Sequence, residues 1–182
     1  NVKTIAGSYG ALANTINSTD AAFASSIENV AVNYVGTSVG ANMFGGLVCN
    51  AQNTVINKCI VSNLNLEGTT LNVGGIAHQL TNSSITNCEV TATLSGTQWV
   101  AGVAVMNYES TIQNVSGFAN ISYNSTENVT TYLAGVTCQN TGLIDNVNMQ
   151  VKIQVQDAGL EVRAAGVAVE NIKTITNTNT IK

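Results

Sequence analysis

The chain has 182 residues, a formal net charge of −4 and 9% charged residues. Its six Lys and Arg are scattered, which excludes the basic face that nucleic acid requires. Hydrophobic residues reach 45%, but no run approaches the ~18 apolar residues of a membrane-spanning helix. Pro is absent, as suits interior strands in which Pro would remove a ladder hydrogen bond.

An internal phrase recurs along the chain: a small residue, Gly and an apolar pair, closed later by Ile-x-Asn. It opens with Gly10, closed by Ile27-Glu28-Asn29. The Gly-to-Ile step there is 17 residues, so a loop is expected around Thr15 to Phe23. Gly46-Leu47-Val48 then leads to Ile56, and Gly75-Ile76-Ala77 to Ile85. Gly102-Val103-Ala104 leads to Ile112, Gly135-Val136-Thr137 to Ile144, and Gly166-Val167-Ala168 to Ile175. These steps are 10, 10, 10, 9 and 9 residues, and the glycines stand 29, 27, 33 and 31 apart. Self-similarity at such a period marks a repeat architecture.

Strand periodicity fills the intervals. Val147, Met149, Val151, Ile153 and Val155 alternate with Asn148, Gln150, Lys152 and Gln154. Val115, Gly117, Ala119, Ile121 and Tyr123 do the same, with Asn120, Ser122 and Asn124 opposite. Period two is the signature of a half-buried strand. The fold expected is all-β: a single parallel β-solenoid of about six rungs of 26–36 residues spanning 1–182. Stacked rungs turn equivalent positions into columns ~4.8 Å apart. Leu47, Ile76, Val103, Val136 and Val167 form one interior column, and Ile27, Ile56, Ile85, Ile112, Ile144 and Ile175 another. Cys49, His78, Val105, Cys138 and Val169, two residues on from the first column, are expected to face in as well. Asn29, Asn87, Asn114, Asn146 and Asn177 follow the Ile column by two, with Lys58 the exception. Asn tolerates left-handed backbone, so a stacked Asn ladder at a bend is expected.

The two ends complement each other. Residues 175–182 joined to residues 1–9 of a following unit complete the last rung. The expectation is one unit of a tandem or end-stacked array.

The phrases GGLVCNAQNTVINKC, GGIAHQLTNSSITNC and AGVTCQNTGLIDNV resemble the GLUG-type repeats of microbial surface proteins. The resemblance implies a β-helical shaft on an extracellular protein. In kind, the unit is similar to the tandem-repeat glycoprotein filaments around some microbial cells. Where the repeats usually carry a Gly after the apolar pair, this chain has Cys49, His78, Val105, Cys138 and Val169.

Asn-x-Ser/Thr sequons, the acceptors of N-glycosylation, occur at Asn17, Asn82, Asn114, Asn120, Asn124 and Asn128. Asn120 and Asn124 fall on the outward side of their strand, Asn128 beyond it, Asn17 in the first-rung loop and Asn82 in a turn. Asn114 belongs to the ladder and is expected to stay bare, its side chain used inside. Cys59 and Cys88 stack on adjacent rungs, within the reach of a disulfide. Cys49 and Cys138 share a column three rungs apart and cannot pair. Buried thiols acting as small hydrophobes are the alternative for all four. A metal site lacks a third and fourth ligand beside Cys49 and His78.

No catalytic constellation emerges. His78, the one His, falls in a core column, and Asp20, Asp145 and Asp157 occupy different rungs and offsets. Gly36-Thr37-Ser38-Val39-Gly40 lacks a phosphate-binding Lys. An ice-binding solenoid needs stacked Thr-x-Thr on successive rungs, which the run Thr174-Ile175-Thr176-Asn177-Thr178 does not supply. A non-enzyme without cofactor is expected, an extracellular structural unit whose partners are copies of itself and attached glycans, with no nucleic acid and no membrane span. The alternative is an adhesin or carbohydrate-binding β-helix using Trp99, Tyr108 and Tyr132 as an aromatic platform. A β-helical carbohydrate-active enzyme would need clustered exposed carboxylates.

Overall fold

Every described strand pairs in parallel with the equivalent strand of a neighbouring turn. A computed structural model describes residues 7–19, 24–35, 41–66, 72–123, 129–155 and 161–181. The chain is an all-β parallel solenoid of about five turns, close to the six rungs expected. The first and second faces are six-stranded sheets, and the third is formed by the longer strands. One turn shows the plan: Trp99–Ala101 on the first face, Ala104–Tyr108 on the second, Thr111–Tyr123 on the third.

The repeated glycine sits at the bend between the first two faces. A Cβ on Gly102 would lie 2.2 Å from the Gly135 carbonyl oxygen and 3.0 Å from Ala119 Cβ of the third face. Only a residue without a side chain fits where stacked backbones and the opposite sheet meet. The landmark shifts by one residue in the first turn: Gly10 pairs with Gly45, so Ala11 takes the place of Gly46. The first-turn insertion begins later than Thr15, where it was expected. Thr15, Ile16 and Asn17 are strand, paired with Asn50, Ala51 and Gln52. Residues 18–24 stand where Asn53 alone stands in the next turn, because Ser25 pairs with Thr54.

The expected Ile column is in place, with Ile56, Ile85, Ile112 and Ile144 fully buried and in register. Leu47, Ile76, Val103 and Val136 are equally buried. Each such side chain contributes ~1.5–3 kcal/mol of burial. The next positions depart from expectation. Val48, Ala77 and Ala104 also join the main core, whereas Val105 and Cys138 belong to a separate cluster with Ala101 and Ala134. The Gly-apolar bend breaks the two-residue alternation. Both residues after the glycine therefore reach the core, and the third turns to the other side of the sheet.

That other side is nonetheless covered. Ala101, Val105, Ala134 and Cys138 have no exposed surface. An outward corner would expose them, so the first two faces fold toward each other there as a re-entrant crease.

The bend after the Ile column is left-handed throughout: Asn29, Asn87, Asn114, Asn146 and Asn177 have φ between 47° and 56°, and Lys58 shares it at 53°. The ladder is a hydrogen-bonded one. Asn146 Nδ2 donates to Asn114 Oδ1 (2.7 Å), and Asn114 Nδ2 to Asn87 Oδ1 (3.0 Å). It lies on the exposed outer corner, however, and not inside as expected for Asn114. A left-handed residue at a convex bend points its side chain away from the core. Another ladder, buried at Asn107 and Asn140 and exposed at Asn171, runs along the second face. Asn107 Nδ2 donates to Asn140 Oδ1 (2.6 Å), and Asn140 Nδ2 to Asn171 Oδ1 (2.7 Å). A second left-handed column, Asn53, Asn82 and Glu109, turns the chain from the second face to the third.

Candidate functional site

The crease brings together more chemically distinctive side chains than any other described part of the chain. On its first-face lip Asn72, Trp99, Tyr132 and Arg163 stand in register. On the second-face lip Gln79, Met106, Gln139 and Glu170 do the same. Between them lie the small buried side chains of Ala101 and Ala134. Sequence periodicity brings each column into line, but only the inward fold of the crease sets the two lips against each other.

The aromatic candidates meet here, though not as a platform. The Trp99 and Tyr132 ring centroids are 4.7 Å apart at 42°. Arg163 Cζ lies 5.5 Å from the Tyr132 centroid, at cation–π distance. The two rings pack at a tilt along the solenoid axis, with Arg163 over the Tyr132 ring. Tyr108 hydrogen-bonds Gln139 Oε1 through its hydroxyl (2.8 Å). Arg163 pairs with Glu161 (2.8 Å) and reaches across to Glu170 (3.7 Å), which accepts from Gln139 Nε2 (2.7 Å). The crease is thereby laced shut in the last two turns.

Toward the first turns the crease holds His78, which is 2% exposed. Its Nδ1 lies 3.3 Å from Asn50 Oδ1, at hydrogen-bond distance. Nε2 is buried without a hydrogen-bond partner, and so is Asn72 Oδ1. Burial pulls the His78 pKa down to about 4, so the ring is neutral at physiological pH. A neutral, enclosed imidazole is a packing residue, and the expected burial of His78 holds, in the crease cluster and not in the main core. Burial also pushes the Cys49 thiol up to about 11 and raises Cys138 strongly.

All four cysteines are free thiols. Cys59 and Cys88 stack on adjacent turns as the spacing implied, and the Cys59 backbone N–H donates to Cys88 Sγ (3.4 Å). Burial first of all raises the Cys88 thiol to about 11. Among the sequons, Asn17 and Asn82 are exposed and Asn120 is half-buried, while Asn124 and Asn128 lie outside the described residues. Asn17 ends a strand and is not in the loop itself.

Asp145 accepts from Thr176 Oγ1 (2.7 Å), Gln113 Nε2 (2.9 Å) and Asn177 Nδ2 (3.0 Å), which hold its pKa below the ordinary value. Asp20 and Asp157 lie outside the described residues. Among the described residues, no three His, Cys, Asp or Glu side chains gather to hold a metal ion. No helix there is long and apolar enough to cross a membrane.

Comparison of the chain with protein-family models, curated proteins and solved structures found no match.

Proposed function

We propose that the chain is a structural repeat unit of an extracellular, glycosylated fibre or surface stalk, in which solenoids stack end to end. The observation that carries this reading is the state of the last turn. Val136 and Ile144 are fully buried, but their column partners Val167 and Ile175 are partly exposed and Ile172 is 78% exposed. Among the described residues, the strands Val162–Ala165 and Ala168–Asn171 each end their sheet with one unpaired edge. Such edges and half-covered core columns pair with further turns unless capped. The low charge and the exposed sequons at Asn17 and Asn82 suit a shaft kept soluble by glycans. The likeness of its phrases to GLUG-type repeats of surface proteins points to the same setting.

The carbohydrate-binding alternative needs open ring faces, and the stacking of Trp99 on Tyr132 under Arg163 argues against it. The burial of His78 supports a non-catalytic, cofactor-free role. The reading is tested by secreting the 182-residue chain from a glycosylating host. Electron microscopy should show head-to-tail filaments. Glycopeptide mass spectrometry should find sugar on sites from the set Asn17, Asn82, Asn120, Asn124 and Asn128. Asn114 should stay bare, because its Nδ2 donates to Asn87 Oδ1 and its Oδ1 accepts from Asn146 Nδ2. Unglycosylated monomers at every concentration would sink the proposal.

A further inference from the structure

We infer that the last turn is a socket for the first turn of a second copy of this chain, with Tyr9 of the incoming copy set at the register position above Ala164. This inference rests on the end-to-end reading and specifies its joint.

One core column carries it. Register links Tyr9 to Phe44, and Phe44 through Val73, Val100 and Leu133 to Ala164. Phe44, Val73, Val100 and Leu133 are fully buried. Each is covered by the neighbouring turn. The column then ends on the smallest of its side chains, and Ala164 is exposed. Beside it lies a hollow of about 330 Å³, bounded chiefly by Val151, Ile153, Val155, Ala164 and Ala165. That is the lower end of the range for small-molecule sites, and roomy for one aromatic side chain.

The occupant follows from continuity with the interface that each turn already makes. Val162–Ala165 offers a free edge that accepts a parallel strand in the register of its own partner, Thr131–Ala134. At the opposite end of the same sheet, Gly7–Gly10 offers the other free edge, in a phase shown by its pairing with Ala41–Gly45. A parallel sheet has two unlike edges, and among the described residues one lies in the first turn and the other in the last. Gly10 would then stack on Ala165, and Ala11 would meet Gly166 at the crease. A small residue on a glycine repeats the packing of the inner turns. Because the two surfaces differ, the contact is head to tail and does not close, which produces a filament and not a dimer.

A size swap tests the joint. Ala164→Leu places in the last turn the residue that Leu133 holds one turn earlier, and Ala164→Val the one held by Val100; either should fold. Circular dichroism and melting should match the unaltered chain. Sedimentation should show association weakened at least ~10-fold, as for loss of a central interface contact. Tyr9→Ala should weaken it similarly. The double variant Ala164→Leu, Tyr9→Ala should regain most of the association, since the filled socket then meets a small residue. If folded Ala164→Leu and Ala164→Val associate like the unaltered chain, the socket assignment is wrong although the stacking reading survives. If the double variant is as weak as the sum of its parts, Tyr9 is not the residue over Ala164. If the unaltered chain stays monomeric at every concentration, both readings fall. Saturation of the edge by an added short β-peptide, with no self-association, would overturn the choice of a second copy.

Discussion

Replacing His78 with Val should remove an acid sensitivity that the fold otherwise carries. Val is the residue at the same column position one turn later, Val105, so the substitution imports a side chain the crease already accommodates. The imidazole is 2% exposed and its pKa is lowered from 6.5 to about 4 by burial. A lowered folded pKa means that the unfolded chain binds the proton more readily between these values. Stability is therefore intact above pH ~6.5 and falls as pH drops toward 4, by ~1.4 kcal/mol per pH unit, or ~3 kcal/mol in all. Other titrating groups nearby leave this window clear: the Cys49 thiol, pushed to about 11, remains neutral throughout, and Asn50 does not ionise. Denaturant unfolding of both proteins from pH 7.5 to 4 measures the effect. The difference in unfolding free energy should move by ~3 kcal/mol in favour of His78→Val on acidification. Since the sequence holds one His, its imidazole signal can also be titrated directly by NMR. Parallel stability curves, or an imidazole titrating near 6.5, would refute the enclosed neutral ring.

Three further perturbations probe the repeat itself. Gly102→Ala places a Cβ 2.2 Å from the Gly135 carbonyl oxygen, so the stacked backbones must separate; a loss of about 3 kcal/mol or more is expected by thermal or chemical unfolding. Asn140→Ala breaks the ladder between Asn107 and Asn171 and should cost about 2–3 kcal/mol, because the Asn107 amide and the Gly142 backbone N–H and carbonyl lose buried hydrogen bonds. Asn114→Gly, which keeps the left-handed backbone but removes an exposed ladder amide, should cost about 1 kcal/mol or less; equal losses at Asn140 and Asn114 would contradict the burial difference. In the folded chain, the four buried thiols should react with a thiol reagent at neutral pH only as fast as the protein unfolds, whereas in denaturant all four should react at once.

The repeat was legible because a solenoid writes its geometry into sequence spacing. Each turn stacks on an equivalent one, so a column requirement reappears once per turn. The glycine bend, the Ile column and the left-handed Asn corner therefore all stand out. Lys58 keeps the left-handed conformation without being Asn, which shows that the column geometry, and not the residue, is what the turns share. What spacing cannot encode is the direction in which a bend folds. Positions Cys49, His78, Val105 and Cys138 look like core by alternation, and they are buried. Their burial comes from a crease closing over them from outside. The two lips at Trp99–Arg163 and Met106–Glu170 are separated by only a few residues, yet nothing in their periodicity says that they approach. The same limit misplaced the ladders. Asn107, Asn140 and Asn171 carry no recurrent neighbour pattern, since the column continues as Leu80, Ala51 and Ile16. Buried Asn thus enters the column where each amide can donate to the Asn of the next turn. That dependence on the next turn is also the physical core of the functional argument. In this architecture a residue is completed by the turn above it, and the exposure of Ala164 and, in part, of Ile175 is the observation on which the end-to-end proposal rests.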